Sequence, residues 1–264
     1  MFSFSLKRIF DYLNYYILRP HRKGHGIHSP FLFDFVNHVL RMKNRTSLKE
    51  ISNLKKQHYR DFSTIVIEDF GAGSKINKSN TRKLSDIARY SASSVKKGKL
   101  LYNMVKHYRP KSIIELGTSL GFGTMYLAKG NSNANIYSIE GSKNLSELAV
   151  ENYKKLHLNN INILTGQFDT IFPELLEKMG TCDMLFIDGN HKKENTLLYF
   201  HTFLNFARQG SIVIIDDIRW SRGMYEAWLE ICNNPELSLS VDLLDIGIVF
   251  FNHKIIKQHF RIYY

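Results

Sequence analysis

Five acidic residues are the part of this sequence best suited to chemistry, because each ends or directly follows a run of apolar and β-branched residues. They are Glu115, Glu140, Asp188, Asp216 and Asp217. Such runs predict strands, so each carboxylate is placed where a strand gives way to a loop. Because the carboxyl ends of parallel strands meet at one edge of a sheet, we expect these side chains around a single cleft.

A glycine-containing loop follows the first of these strands. Gly117, Gly121 and Gly123 are spaced G-x-x-x-G-x-G, which differs from the dinucleotide-binding spacing G-x-G-x-x-G. A helical pattern begins around Thr124, so the loop brings backbone N–H groups close to a ligand. Glu115 precedes the first glycine by two residues and suits a cationic group. S-adenosylmethionine, whose methionine end carries an ammonium, has the matching chemistry.

The next two strand ends suit the rest of such a ligand. Glu140 ends the second strand pattern, and a carboxylate there can accept both hydrogen bonds from a ribose diol. The alternative is an acidic residue stabilised by the dipole of the following helix. Gly166 and Gln167 follow the third strand, where the glutamine side chain can supply a polar contact to an adenine.

The fourth and fifth strands end in the residues that predict catalysis. Asp188 and His191 follow one strand, and the adjacent Asp216 and Asp217 follow the other. Three carboxylates in one cleft repel each other unless they are protonated or bridged by a cation, and a hard divalent ion such as Mg²⁺ prefers oxygen ligands. The alternative is structural: Asp217 caps the next helix, and Asp216 accepts hydrogen bonds from loop amides.

Alternating strand and helix patterns position these residues. The alternation predicts an α/β fold with a parallel sheet covered by helices on both faces. Two strand patterns near the C-terminus are separated by about one residue, so they must pair antiparallel as a hairpin. The predicted strands are 112–116, 135–140, 161–165, 183–188, 211–216, 238–245 and 247–252. The predicted helices of this region are 123–130, 143–157, 170–179, 193–206 and 222–232.

The N-terminal quarter has a different character. Residues 1–60 hold twelve Lys and Arg against three Asp and Glu, and so supply most of the net charge of +12. This asymmetry indicates either an anionic partner or a solvated basic face. An amphipathic helix is predicted over 4–18, and Ser29-Pro30 predicts another helix start. We predict a basic, mainly helical extension or lid over 1–62, a connecting segment over 63–94 and the main domain over 95–264.

Composition and length limit the classes of protein that this chain can be. Its 264 residues are 44% hydrophobic, enough to form a substantial core. Cys182 and Cys232 have neither metal-ligand nor disulfide spacing. No run approaches the roughly 18 apolar residues of a membrane span, and the N-terminus lacks the pattern of a signal peptide. We therefore expect a soluble cytoplasmic protein with no integral membrane span.

Taken in order, these motifs resemble those of class I S-adenosylmethionine-dependent methyltransferases, and most of all the catechol O-methyltransferase-like group. The resemblance covers about residues 95–252. It implies a doubly wound, Rossmann-like sheet of seven strands in the order 3-2-1-4-5-7-6, with strand 7 antiparallel. The residues that it implies for donor binding are Glu115, Gly117, Thr118, Ser119, Gly121, Gly123, Glu140, Gly166, Gln167 and Asp188. The residues that it implies for a divalent metal are Asp188, Asp216 and Asp217.

The resemblance also predicts the reaction, O-methylation of a small hydroxylated acceptor, with Asp188 and His191 as the catalytic residues. This chain has His191 where the catechol-type enzymes have a lysine base, and Asp217 where they have asparagine. A histidine can act as a base near neutral pH. Two alternatives remain open: a tRNA or other RNA methyltransferase that uses the basic N-terminal region, and a non-catalytic S-adenosylmethionine-binding module. An anionic acceptor and a homodimer are also compatible with the sequence.

Overall fold

The fold is described from a computed structural model covering residues 4–18, 21, 29–42, 48–68, 80–251 and 256–264. The basic loop after the first predicted helix, with His25 and His28, lies outside these residues. Within them, the strands are β1 (Thr64–Val66), β2 (Thr81–Lys83), β3 (Ser112–Leu116), β4 (Asn135–Glu140), β5 (Ile161–Thr165), β6 (Met184–Ile187), β7 (Ile212–Ile215), β8 (Leu239–Asp242), β9 (Gly247–Phe250) and β10 (Gln258–Arg261).

Helices cover both faces of the main sheet and extend toward the N-terminus. The described α-helices are α1 (Phe4–Leu18), α2 (Pro30–Phe35), α3 (Lys49–His58), α4 (Leu84–Asp86), α5 (Val95–Tyr108), α6 (Phe122–Gly130), α7 (Lys143–Lys155), α8 (Phe168–Met179), α9 (Lys193–Leu204) and α10 (Arg222–Asn233). A π-helical turn extends α2 over Val36–Leu40, and another extends α4 over Ile87–Ser91. No helix in the described part of the chain is long and apolar enough to cross a bilayer.

The strand order confirms the predicted fold and adds one strand. The main sheet runs β10-β8-β9-β7-β6-β3-β4-β5. From β5 to β8 this is the predicted order 3-2-1-4-5-7-6, and β9 pairs antiparallel with both β7 and β8. The predicted hairpin is thus present. The addition is β10, which pairs in parallel with β8 at the edge of the sheet. β1 and β2 form a separate antiparallel pair.

Buried central strands explain why the sheet is covered on both sides. In β6 all four side chains are buried: Met184 and Phe186 join the core on one face, and Leu185 and Ile187 join the core on the other. A strand that is buried on both faces is expected to be continuously hydrophobic. The carboxyl ends of these strands are therefore fixed by two packed cores, and the residues immediately after them are held in place.

Helix α5 lies close to α6, and a glycine makes this possible. A Cβ atom on Gly98 would lie 2.1 Å from the ring of Tyr126, so only glycine lets the two helices approach this closely. The hydroxyl oxygen of Ser94 caps α5 by accepting a hydrogen bond of 3.2 Å from the backbone N–H of Lys97. The N-terminal turn of α5 is thereby held at the carboxyl edge of the sheet.

The N-terminal helices pack against different parts of the molecule. Phe31 and Phe35 contact the ring of Phe250 at centroid distances of 5.1 and 5.7 Å. Phe33, the third aromatic residue of α2, is half exposed. Side chains of α2 thus complete the core beside β9, and the division into an extension or lid over 1–62, a connecting segment and a main domain stays a prediction.

Candidate active site

A cavity of about 580 Å³ lies at the carboxyl ends of the parallel strands. Most of the residues predicted from the sequence line it, and these are Gly117, Ser119, Glu140, Gly166, Gln167, Asp188, His191, Asp216 and Asp217. Described residues of the connecting segment, among them Ile67, Arg82 and Tyr90, also line the cavity. Four predicted residues, Glu115, Thr118, Gly121 and Gly123, are not among the residues that line the cavity.

The glycine loop has the tight geometry that its sequence predicts. Gly117 has φ +104°, and a Cβ atom there would lie 2.5 Å from the carbonyl oxygen of Asp188. Gly121, with φ +80°, occupies the N-cap position of α6. Ser119 also has a positive φ, +52°, which is unusual for a residue with a side chain. The loop therefore presses against the end of β6 and presents its backbone to the cavity.

Glu140 binds the glycine loop and also faces the cavity. One carboxylate oxygen accepts hydrogen bonds from the backbone N–H groups of Thr118 (3.2 Å) and Ser119 (2.7 Å). The other accepts one from Ser142 N–H (3.0 Å). Burial raises the pKa of Glu140, and these backbone hydrogen bonds oppose the increase. The carboxylate retains lone pairs for a ligand hydroxyl, because each oxygen can accept more than one hydrogen bond.

Glu115 is buried beneath the same loop. Its Oε2 accepts a hydrogen bond of 2.6 Å from Ser138 and another from the Thr124 hydroxyl. Burial raises the pKa of Glu115 to about 7, even though both hydroxyl contacts lower it. A Cβ atom on Gly123 would lie 2.7 Å from its Oε1, so the glycine leaves room for the carboxylate. The carboxylate is thus one layer behind the cavity wall, and its predicted role toward the donor ammonium stays a prediction.

The carboxylates after β6 and β7 surround a lysine from α5. Lys97 Nζ contacts Asp216 Oδ2 directly and lies 3.6 Å from Asp188 Oδ2. Burial alone favours the neutral amine, but the nearby aspartates outweigh burial and raise the pKa of Lys97 above its ordinary value. Burial beside Asp216 raises the pKa of Asp188, whereas Lys97 lowers that of Asp216. The cluster therefore carries less negative charge than three free aspartates would.

His191 and Asp217 form the neighbouring part of the wall. His191 Nε2 lies 3.8 Å from Asp217 Oδ2, and the imidazole is 6.0 Å from the Trp220 ring, measured between centroids. Burial lowers the pKa of His191, which favours the neutral imidazole that can accept a proton. Asn190 and Asp217 have φ values of +61° and +54°. Left-handed backbone at both strand ends turns these side chains toward the cavity.

A divalent metal does not fit the side chains as they are placed. The oxygen atoms of Asp188 and Asp216 that such an ion would need lie against the Lys97 ammonium. In the ranges that the structure describes, no group of three or more His, Cys, Asp or Glu side chains is arranged to hold a metal. The predicted magnesium site at Asp188, Asp216 and Asp217 is therefore not supported. The physical reason is a lysine on a different element that already compensates the carboxylates.

A second lysine organises the loop that leads into α5. Lys55 is only 4% exposed, and its Nζ donates hydrogen bonds to the carbonyl oxygens of Ala92 (3.1 Å) and Ser93 (2.6 Å). The Ser93 hydroxyl in turn donates to Asp188 Oδ2 at 3.3 Å. Burial, followed by the nearby Lys97, lowers the pKa of Lys55 to about 8. Helix α3, the loop before α5 and α5 itself are thus linked to Asp188 through Lys55, Ser93 and Lys97.

Comparison with known proteins agrees with this geometry. Residues 114–218 match a protein family described as a methyltransferase domain. The chain is 26% identical over 158 residues to the catechol O-methyltransferase of Mycobacterium tuberculosis, a match that covers 59% of this chain and 68% of that protein. It is 30% identical over 128 residues to the catechol O-methyltransferase of Niastella koreensis, covering 47% of this chain and 57% of that protein.

Residues 114–218 are thus a methyltransferase domain, and the chain is similar to class I S-adenosylmethionine-dependent O-methyltransferases. The resemblance inferred from the sequence is confirmed, and with it the prediction of an S-adenosylmethionine-dependent O-methyltransferase. A crystal structure of the O-methyltransferase from Bacillus cereus, in complex with SAH, has the same fold. That match has a TM-score of 0.53 at 20% identity and covers 83% of this chain and 97% of that chain.

Lys97 is the residue of this methyltransferase that the motif analysis missed. The strand-end patterns directed attention to the residues after each strand, and Lys97 comes from a helix that precedes the first strand of the domain. A signal was nevertheless present in the sequence. Lys97, Leu101 and Met104 have the spacing i, i+4, i+7 and share one face of α5, the buried one. A lysine on the apolar face of a helix needs a partner in the core.

Proposed function

We propose that this enzyme transfers the methyl group of S-adenosylmethionine to a hydroxyl oxygen of a small acceptor bound in the cavity. The observation that carries this proposal is that one cavity joins two sets of residues. The glycine loop and Glu140 line one part of it, and His191 with the aspartates after β6 and β7 lines another. Methyl transfer is an in-line displacement, so holding donor and acceptor in one enclosed space lowers the barrier.

The donor half of the cavity supports the assignment of each part of S-adenosylmethionine. Glu140 is the acceptor for the ribose hydroxyls, since its oxygens face the cavity and its backbone contacts fix its orientation. Gly166, Gln167 and Phe168 form the adjacent wall, where the backbone, an amide and an aromatic ring suit an adenine. Gly117 and Ser119 present backbone to the methionine part, and Glu115 behind them supplies a carboxylate for its ammonium.

The acceptor half supports His191 as the base. The acceptor hydroxyl gives its proton to the neutral imidazole while its oxygen forms the new bond to the methyl carbon. The carbon–sulfur bond of the donor breaks, and its electron pair remains on sulfur in S-adenosylhomocysteine. Positive charge on the imidazole is then stabilised by Asp217, 3.8 Å from Nε2. His191 and Asp217 thus move a proton and stabilise charge, and neither step depends on a metal.

The size and lining of the cavity favour a small acceptor over RNA. Described residues of the connecting segment, Ile67, Arg82 and Tyr90, line the cavity together with the strand-end residues. A cavity of about 580 Å³ that is lined by both parts of the chain has the size of a small-molecule site. Arg82 and Arg89 also place positive charge on the lining, so we favour acceptors that carry a carboxylate or a phosphate besides the hydroxyl group.

The test measures methyl transfer from S-adenosylmethionine with a radiolabelled methyl group to a panel of small hydroxylated acceptors and to bulk tRNA. We expect turnover on hydroxylated acceptors and none on tRNA. His191→Gln should lower kcat by about 100-fold, the lower end of general-base contributions, with unchanged affinity for S-adenosylhomocysteine. The control is His201→Gln, on the exposed side of α9. Methylation of tRNA alone, or full activity in His191→Gln, would contradict the proposal.

A further inference from the structure

The cation in the acidic cluster of this active site belongs to the protein itself. The Lys97 ammonium contacts one carboxylate oxygen of Asp216 and lies 3.6 Å from one of Asp188. Both aspartates are strand-end residues that face the cavity, and Lys97 lines the same cavity. Its side chain is 19% exposed, so the ammonium is held between the carboxylates but still reaches the space where an acceptor binds.

The surroundings of Lys97 fix its position from two directions. Ser94 caps the first turn of α5, and Gly98 on the next turn lets the helix pack against Tyr126. Ala92 and Ser93 come directly before this cap, and Lys55 donates hydrogen bonds to both of their carbonyl oxygens. The lysine is therefore presented by a packed helix end rather than by a free surface side chain.

Charge and geometry leave no room for a second cation in this place. A divalent ion would take the same oxygen atoms that contact Lys97, and it would lie within a few ångströms of the ammonium. At about 4 Å, like charges near a protein surface repel strongly. A bound metal and the Lys97 ammonium therefore exclude each other from this cluster, and the lysine is part of the chain.

We propose that Lys97 is the resident cation of the acceptor site and makes methyl transfer by this enzyme independent of a divalent metal. An ammonium has three N–H donors. The hydrogen bond to Asp216 uses one of them, and a second faces Asp188 in an ion pair of 3.6 Å. The third can donate a hydrogen bond to the acceptor oxygen. Lys97 thus orients the acceptor and stabilises negative charge on its oxygen as the proton leaves. This step rests on the proposed function, whereas the exclusion of metal from the cluster does not.

The test is a titration with Mn²⁺ in the absence of donor and acceptor, followed by electron paramagnetic resonance and calorimetry. It compares the wild type with Lys97→Ala, Lys97→Arg and the control Lys99→Ala, whose residue is exposed on the same helix. We expect Lys97→Ala to bind Mn²⁺ at least about tenfold more tightly than the wild type, because a like charge near the ion is removed. Lys97→Arg and Lys99→Ala should resemble the wild type.

If Lys97→Ala is too unstable for titration, its Tm can be measured with and without Mn²⁺ instead. Without Lys97 the buried carboxylates lack their partner, so Mn²⁺ should raise the Tm of Lys97→Ala and leave that of the wild type unchanged. Wild-type protein that binds Mn²⁺ as tightly as Lys97→Ala would overturn the proposal, as would a failure of Lys97→Ala to bind Mn²⁺ at all. These measurements need no turnover, so they are independent of the identity of the acceptor.

Turnover measurements provide a second test of the proposal. Wild-type enzyme treated with a chelator should retain full turnover on an acceptor identified by the radiolabel panel. Lys97→Ala should lose most of its turnover while keeping its affinity for S-adenosylhomocysteine, and added Mn²⁺ should restore part of it. Loss of wild-type turnover on chelation would overturn metal independence even if methyl transfer to hydroxyl groups is established.

Discussion

Glu140 at the end of β4 holds the glycine loop by its backbone: the N–H of Ser119 donates a hydrogen bond of 2.7 Å to Glu140 Oε2. Ser119 has φ +52°, a conformation that a residue with a side chain adopts at some cost. The carboxylate offsets this cost, so the residue assigned to the donor ribose also shapes the loop assigned to the methionine end. Donor binding and loop conformation are therefore coupled through one side chain.

This coupling predicts different outcomes for two substitutions at Glu140. Glu140→Gln keeps one oxygen for the loop amides but places an NH₂ group toward Ser142 N–H, and we expect weaker binding of S-adenosylhomocysteine by about tenfold or more. Glu140→Ala leaves buried N–H groups without their acceptor, which costs about 1–3 kcal/mol of unfolding free energy. Calorimetry and urea unfolding measure the two effects. Glu147→Gln, exposed on α7, is the control. Undiminished affinity in Glu140→Ala would contradict the assignment.

A second prediction concerns the close approach of Gly117 to β6. Gly117→Ala introduces a Cβ atom 2.5 Å from the Asp188 carbonyl oxygen at a residue with φ +104°. Gly180→Ala is the matched control, because Gly180 also has a positive φ, +72°, and no atom within 4 Å of the added Cβ. In both variants the left-handed backbone costs about 1 kcal/mol. Only Gly117→Ala adds a clash with backbone, so it should be the more destabilised in urea unfolding and should lose donor affinity. Equal effects of the two substitutions would contradict this.

The sequence predicted the sheet well because apolar runs such as those of β6 and β7 are strong local signals. Each run is short, is bounded by polar residues and is buried on both faces. The order of the strands came from the resemblance, since no local pattern specifies which strands pair. β10 was missed because Gln258–Arg261 is largely polar, and its pairing with β8 determines its extended conformation.

The candidate site was predicted less completely, for a related reason. Motifs at strand ends located Glu140, Asp188, His191 and Asp216, because all of them lie at or just after the end of a strand in sequence. The charge balance of the cluster depends on Lys97, which is 119 residues before Asp216 in sequence. A contact of this range is set by the packing of α5, not by a motif. The residues of the connecting segment that line the cavity were missed for the same reason, because no local sequence motif indicates their position.

The third prediction uses the pKa of Glu115, which burial raises from 4.5 to about 7. A raised pKa in the folded state means that the folded protein binds this proton more tightly than the unfolded chain. The resulting stabilisation is fully present below pH 4.5 and is lost as the pH rises toward 7. Glu115→Gln lacks the titration, so its unfolding free energy relative to the wild type should increase over this range by about 3 kcal/mol.

Urea unfolding at pH 4.5, 5.5, 6.5 and 7.5 measures this difference. Glu147→Gln serves again as the control, since that carboxylate is largely exposed and its replacement should shift the free energy by a constant, small amount. A difference between Glu115→Gln and wild type that does not change with pH would show that Glu115 is ionised throughout, and would contradict the raised pKa.

The last prediction concerns the buried ion pair between the loop after β7 and the edge of the sheet. Arg219 is 1% exposed and donates two hydrogen bonds to Asp242, of 2.8 and 2.6 Å, while Asp11 on α1 lies 3.8 Å from its Nε. Arg219→Met leaves Asp242 buried with a weaker partner, Arg261 at 3.4 Å. Removing one member of a buried pair costs about 3–5 kcal/mol.

Replacing both members should recover part of this loss, because the cost arises from the carboxylate left without its partner. We expect Arg219→Met/Asp242→Asn to be more stable than Arg219→Met alone by about 1 kcal/mol or more. The control is Arg222→Met, an exposed arginine paired with Glu226 one turn along α10, where the change should stay within about 0.5 kcal/mol. If the double variant is less stable than Arg219→Met, the charge on Asp242 is compensated by Arg261 alone. Arg219 would then stabilise this edge through its hydrogen bond to the Leu244 carbonyl oxygen rather than through the ion pair.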